Sequence, residues 1–340
     1  MNKHNSITSN LAIGKKRQRI LVTGGSGFIG TNYIEFLLRN TQAEFINLDV
    51  NPPRNPAHKE FWRKCDLLDK SNLKEIIKDF FPNYVVHLAA KTGTETKLSA
   101  FVVNTEGTKN LLDALKEISS IERVIFTSSL LVCRLGYTPK DDTDYKPSNA
   151  YGLSKVKMEQ IIRSQKDLPY IWTIIRPIAV WGPWCEDPYK SWFKAIKQGW
   201  YFHIGSGHYR RTMGYVENMV YQIHQILLAP AEKIDRKTFY LGDDAPIDLY
   251  DFANEIQKEF GARKIRHIPL WAAKLAAITG DILKRMGWKS IPLTTDRLNH
   301  IRTDYVFDLQ PIMEISGSMP HNYKTGIKKT IQWLREAGEI

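Results

Sequence analysis

Arg19-Ile-Leu-Val-Thr-Gly-Gly-Ser-Gly-Phe-Ile-Gly30 is the stretch that decides the fold. Its first part is an apolar, β-branched run that predicts a buried strand over 19–23. Its second part places glycines at 24, 25, 27 and 30 and leads into Phe28, Ile29, Ile34, Leu37 and Leu38, whose spacing predicts a helix over 28–40. Glycines let a strand turn tightly into a helix, and the unpaired amides of the first helical turn then face an approaching anion. A glycine pattern alone is weak evidence. A strand before it and a helix after it turn Gly24, Gly27, Phe28, Ile29 and Gly30 into a pyrophosphate cradle.

Working outward, Asp49 ends the next apolar run, at 44–49. An acid there accepts hydrogen bonds from an adenosine ribose and repels a 2′-phosphate, which favours NAD over NADP, although Arg54 lies nearby. Asp66, with Leu67, ends a third strand, where a carboxylate meets an adenine amino group or simply caps a helix or turn. Leu88, Ala89 and Ala90 follow a fourth strand at 83–89 and are small enough for close approach of the dinucleotide. Helical patterns at 71–80, 102–118 and 149–165 alternate with strands at 122–128 and 170–176. This rhythm predicts an α/β protein, a Rossmann-type doubly wound parallel sheet.

Beyond Pro177 the pattern breaks into shorter elements, with helices expected at 190–198, 216–228, 248–260, 269–286 and 324–337. The expected organisation is a basic leader at 1–18, a dinucleotide-binding domain at 19–178, and a mainly substrate-binding, mixed α/β lobe at 179–340 with segments returning to the sheet.

The net charge of +12 invites a nucleic-acid reading, but Lys3, Lys15, Lys16, Arg17 and Arg19 supply five of those charges before any acid appears. The remainder has no basic run interleaved with aromatics, so no nucleic-acid partner is expected. Three scattered cysteines give neither metal-ligand spacing nor a disulfide framework, so no metal site is expected and a reducing cytoplasm is the expected location. The apolar stretch 268–287 is interrupted by Lys274 and Asp281 and is too polar to span a bilayer. It reads as an amphipathic helix that packs on its own domain, or else meets a membrane surface or a partner.

Tyr151-Gly-Leu-Ser-Lys155 carries the chemistry. A spacing of four puts the phenol and the ammonium on one face of a helix, where the cation can lower the phenol's pKa from its usual ~10. With the glycine loop, this motif resembles the extended short-chain dehydrogenase/reductases, the family of nucleotide-sugar epimerases, dehydratases and reductases. The resemblance covers roughly 19–337. It also rests on His87-Leu-Ala-Ala90, Asn104-Thr-Glu-Gly-Thr108, Thr127-Ser-Ser129, Arg176-Pro177, Trp181-Gly-Pro183 and Gly205-Ser-Gly207 before Arg211.

The resemblance implies Tyr151 as general acid/base, Lys155 as the group that stabilises its phenolate and binds the nicotinamide ribose, and Ser129 as a partner of the reacting oxygen. It adds Asn104 and Pro177 to the cofactor contacts and makes Arg211 a diphosphate ligand, an alternative for Arg211 being a surface ion pair. Trp184, Trp192 and Trp200 flank the implied substrate entrance. Three departures narrow the reaction. Leu130-Leu131 replaces the Asp-Glu pair that dehydratases use, Cys133 replaces a tyrosine, and Ala179 replaces an asparagine that touches diphosphate.

The expectation is an NAD-dependent nucleotide-sugar epimerase, acting at C4 through a keto intermediate and working as a homodimer. Alternatives are a 4-keto-sugar reductase, a 3β-hydroxysteroid-type dehydrogenase, which the Tyr305-Val-Phe-Asp308 segment resembles, and a non-catalytic NAD-binding protein.

Overall fold

The computed structural model describes residues 18–340 except 289, 290 and 292. The leader expected at 1–18 therefore lies, but for its last residue, outside the described residues. Seven strands form the central sheet: β1 (Arg19–Thr23), β2 (Glu44–Asp49), β3 (Trp62–Lys64), β4 (Tyr84–His87), β5 (Arg123–Thr127), β6 (Ile171–Pro177) and β7 (Thr238–Leu241). Their order is β7-β6-β5-β4-β1-β2-β3, and every neighbouring pair is parallel.

Strand side chains alternate between faces, and both faces of this sheet are apolar, as a sheet covered on both sides requires. Ile20 and Val22 join Val86, Ile125 and Ile175 on one face, under α1 (Phe28–Asn40) and the later helix Val216–Leu228. Leu21 joins Val85, Val124, Phe126 and Ile174 on the other face. That face is covered by α2 (Lys70–Phe80), α3 (Thr108–Lys116) and α4 (Ala150–Arg163). Burying each such side chain contributes about 1.5–3 kcal/mol. Strand order reverses between β1 and β4, which opens a crevice at the carboxyl ends of the strands.

Elements predicted from periodicity fall within a residue or two of those observed, and three differ. The segment 102–118 is not one helix: a 3₁₀ turn (Leu98–Phe101) and a π-turn (Val103–Gly107) precede α3. The widened turn leaves the Asn104 side chain bonded to Lys91 and Ser154 instead of facing solvent. The third strand ends at Lys64, although the Cys65 amide still bonds the Asp49 carbonyl. β7 was not foreseen as a particular segment, because four residues carry too little periodicity to show.

A second core lies beyond β6. Trp181 packs edge-on against Phe252, and Phe193, Ile196, Met213, Ile256, Ile327 and Leu334 surround the pair. No helix among the described residues is long and apolar enough to cross a membrane. Leu21 has no exposed surface at the centre of the sheet. Leu21→Ala is expected to lower the unfolding free energy by about 2–5 kcal/mol in urea titrations.

Candidate active site

A cavity of about 1100 Å³ runs along the carboxyl ends of the strands. At its first end the glycine loop is shaped by backbone contact. Gly24 has φ +75°, and a Cβ there would sit 2.5 Å from the Ala89 nitrogen. A Cβ on Gly30 would collide with the Gly24 carbonyl. Gly27 precedes α1 without any side-chain capping bond, so the amides of the first turn face the cavity beside Gly24, Gly27, Phe28, Ile29 and Gly30.

Asp49 lines the same end and accepts from the Ser26 and Asn51 amides at 3.1 and 2.9 Å. Burial raises its pKa, while those amides and Arg54 oppose the rise. Arg54 donates to the carbonyls of Ser26 and Trp184 and pairs with Glu186 at 2.5 Å, so its guanidinium is already committed. Asp66 lines the cavity next to Leu67 and accepts from the Leu68 amide in a turn, while Asp69, not Asp66, caps α2. Leu88, Ala89, Ala90 and Pro177 also line the wall. Asn104, expected as a cofactor contact, does not: its amide bonds both backbone groups of Lys91 and the Ser154 hydroxyl. It clamps the wall from behind.

Ser129, Tyr151 and Lys155 all line the cavity. Asn149 caps α4 by accepting from the Gly152 amide at 2.7 Å, which sets Tyr151 in the first turn and Lys155 one turn later. A Cβ on Gly152 would collide with the Leu131 carbonyl, so this glycine lets α4 close onto the turn that carries Ser129. The Ser129 oxygen accepts from the Leu131 amide at 3.1 Å, and the Ser129 hydroxyl is hydrogen-bonded with the Tyr151 phenol. Burial pushes the phenol up, and that bond partly offsets the rise.

Lys155 is buried and donates to the Thr127 carbonyl at 2.8 Å. Burial brings its pKa down to about 7, against the opposing pull of Glu159 one turn on. Glu159 is itself held by Arg176 at 2.9 and 2.7 Å and by the Tyr145 hydroxyl. A fully buried His87 bridges Thr23 and Thr108, and burial, with Lys155 nearby, drives it to about 3, so the ring is neutral.

The far end of the cavity is formed by Arg211, Thr212, Tyr305 and His300. Arg211 donates to the carbonyls of His300 and Ile301, and its guanidinium carbon lies 5.2 Å from the centre of the Tyr305 ring. Its Nε is buried without a partner. Burial lowers the Arg211 pKa. Ala179 also lines the cavity and offers no side-chain donor. Trp184, Trp192 and Trp200 do not line it; Trp184 packs on Trp333, Trp192 on Phe252, and Trp200 is exposed.

Residues 20–242 match the model of the NAD dependent epimerase/dehydratase family. The chain belongs to that family. A relative from Escherichia coli O157:H7, N-acetyl-alpha-D-glucosaminyl-diphospho-ditrans,octacis-undecaprenol 4-epimerase, is 25% identical over 92% of this chain and 94% of its own length. Human sterol-4-alpha-carboxylate 3-dehydrogenase, decarboxylating, is 30% identical over 75% of this chain and 70% of its own. Among solved structures, UDP-glucuronic acid 4-epimerase from Bacillus cereus in complex with NAD superposes with a TM-score of 0.71 at 19% identity, covering 94% and 99% of the two chains. At that identity the likeness speaks for the fold.

Sequence reasoning missed His300 as a cavity residue, since it reaches the cavity from about ninety positions beyond Arg211 with no motif to mark it. Tyr305 was noticed only as part of a segment. Gly152 sat in plain view inside the Tyr-x-x-x-Lys motif, but its need is created by Leu131 across the fold.

Two tests follow from the packing of α4. Gly152→Ala is expected to cost roughly 1–3 kcal/mol of stability in urea titrations, because backbone must shift to admit the methyl. Between pH 7 and 10.5 the unfolded chain holds a proton on Lys155 that the folded chain has released, so stability rises with pH across that window. Lys155→Met should remove this contribution, up to about 1.4 kcal/mol per pH unit, when denaturation of the cofactor-free protein is compared at pH 7.5 and 9.

Proposed function

We propose that this protein is an NAD-dependent epimerase of a nucleotide-activated sugar, acting at a hydroxyl-bearing carbon, C4, through a keto form of the substrate. The observation that carries this reading is a single cavity joining a glycine cradle, the Ser129–Tyr151–Lys155 group and a desolvated arginine with an unpartnered Nε. A cradle that any side chain at Gly24 would fill suits a pyrophosphate, and an arginine fork suits a second, substrate diphosphate. Asp49 with a committed Arg54 supports NAD over NADP. The cofactor, when bound, supplies a hydride acceptor and donor.

The chain's own residues handle the proton and the orientation. Tyr151 takes the proton from the substrate hydroxyl and returns it after the sugar has presented its other face. Ser129 holds the same oxygen, its own oxygen fixed by the Leu131 amide. Lys155, anchored to the Thr127 carbonyl, supplies the positive charge that favours the phenolate. Leu130-Leu131 leaves no carboxylate beside Ser129 for elimination of water, which supports epimerisation over dehydration.

A second reading keeps the sugar diphosphate and changes its carrier from a nucleoside to a polyprenol. The Escherichia coli relative, named for such a substrate and aligned over nearly the whole chain, favours it. A 3β-hydroxysteroid-type dehydrogenase is the reading the human relative favours, and there Arg211 would meet the single carboxylate in that relative's named substrate instead of a diphosphate.

The test is a thermal-shift panel of UDP, GDP, CDP and dTDP sugars with NAD, followed by product analysis with and without added NADH. A raised melting temperature and an epimeric product without NADH consumption are expected; a shift with sterols alone would overturn the reading. Tyr151→Phe should lower turnover by about 10²–10⁴-fold while NAD still raises the melting temperature.

A further inference from the structure

The helix Leu270–Arg285 has two unlike faces. Ala273, Ala277 and Gly280 are buried against Leu298 and the preceding loop, and a Cβ on Gly280 would collide with the Leu293 carbonyl. On the outside, Trp271, Leu275, Ile278, Ile282 and Met286 are between 52% and 71% exposed. At 3.6 residues per turn these five fall within an arc of roughly 80°, an unbroken apolar stripe along four turns. Trp288, beyond the helix end, is also exposed. Isolated exposed apolar residues need no explanation, but a continuous stripe of Trp, Leu, Ile and Met does.

Basic residues outnumber acidic ones along this stretch of chain. From 261 to 288 there are six basic residues, Arg263, Lys264, Arg266, Lys274, Lys284 and Arg285, all exposed, against the single acid Asp281. Asp281 is engaged with the Thr295 amide. Lys274 and Arg285 lie along one edge of the stripe, where their stems can follow apolar surface while the charges stay at headgroup level. A water-soluble protein partner would meet the apolar stripe equally well, but a basic edge of Lys274 and Arg285 beside the exposed Trp271 matches the interfacial zone of an anionic bilayer.

We infer that this helix lies in the plane of a bilayer rich in anionic phospholipid, its Trp271–Met286 stripe among the acyl chains and Lys274 and Arg285 on the phosphates. The fold joins this surface to the cavity through one layer of structure. Leu298 packs beneath the helix, and His300, two residues further along the helix Thr295–Arg302, lines the cavity and supplies the carbonyl that Arg211 bonds. The catalytic cavity is thereby brought to the membrane surface, although no helix among the described residues is long and apolar enough to cross it.

The experiment is co-sedimentation of the purified full-length protein with vesicles of phosphatidylcholine alone and with about one-third phosphatidylglycerol. Expected are binding to the anionic vesicles, weakening at high salt, and an at least tenfold loss of binding in Leu275→Glu/Ile282→Glu and in Lys274→Glu/Arg285→Glu. Both variants touch only exposed positions, and an unchanged NAD-induced melting shift reports that each is folded. A wild-type chain that stays in the supernatant with both vesicle types overturns the proposal. So does wild-type binding unaffected by both variants, or concentration-dependent self-association that the Glu variants abolish while no vesicles are bound. None of these readouts requires turnover, so this test and that of the epimerase reading fail independently.

Discussion

Backbone meets backbone where β1 turns into α1, and the rest of the site depends on that approach. Gly24 lies so close to Ala89 that no side chain fits between them, and Gly30 is similarly pressed on Gly24. These contacts draw the ends of β1 and β4 together at the point where strand order reverses. They leave the first-turn amides of α1 open toward a cavity whose opposite wall is α4. A bulkier residue at either glycine would push α1 away from the sheet, and the anion cradle would disperse.

The opposite wall is held by charge rather than by close approach. Lys155, Glu159 and Arg176 are all buried within two turns of α4 and the neighbouring strand β6. Glu159 is matched by Arg176 with two bonds, so its desolvation is offset by good geometry. Lys155 has the neutral Thr127 carbonyl, the Met158 sulfur and the field of Glu159 one turn away, with no carboxylate bonded to it, and burial brings its pKa down to about 7.

The first half of the molecule was legible because its local signals agree with one another. Apolar alternation in Ile20, Leu21 and Val22 feeds both faces of one sheet, and the glycine loop can be built in only a few ways. The π-turn at Val103–Gly107 was not legible, since the pull of Lys91 and Ser154 on Asn104 comes from elements distant in sequence. The tryptophans near 184–200 were left open between ligand stacking and the commoner core packing, because a large aromatic looks the same in sequence whether it stacks on a ligand or, as Trp192 does, on Phe252. The helix at 269–286 was foreseen as an element, but periodicity alone left open what its outer face meets.

The amino-acid order by itself determined the parallel sheet, the cradle at Gly24–Gly30 and the helical pairing of Tyr151 with Lys155, because each follows from spacing within a few residues. Tertiary structure alone decided that Arg211 is drawn under Tyr305 and beside His300, that Arg54 is spent on Ser26, Trp184 and Glu186, and that Trp271 to Met286 face outward. Those outcomes depend on desolvation and on partners tens to more than a hundred positions away along the chain. Such energies exist only once the chain has closed on itself.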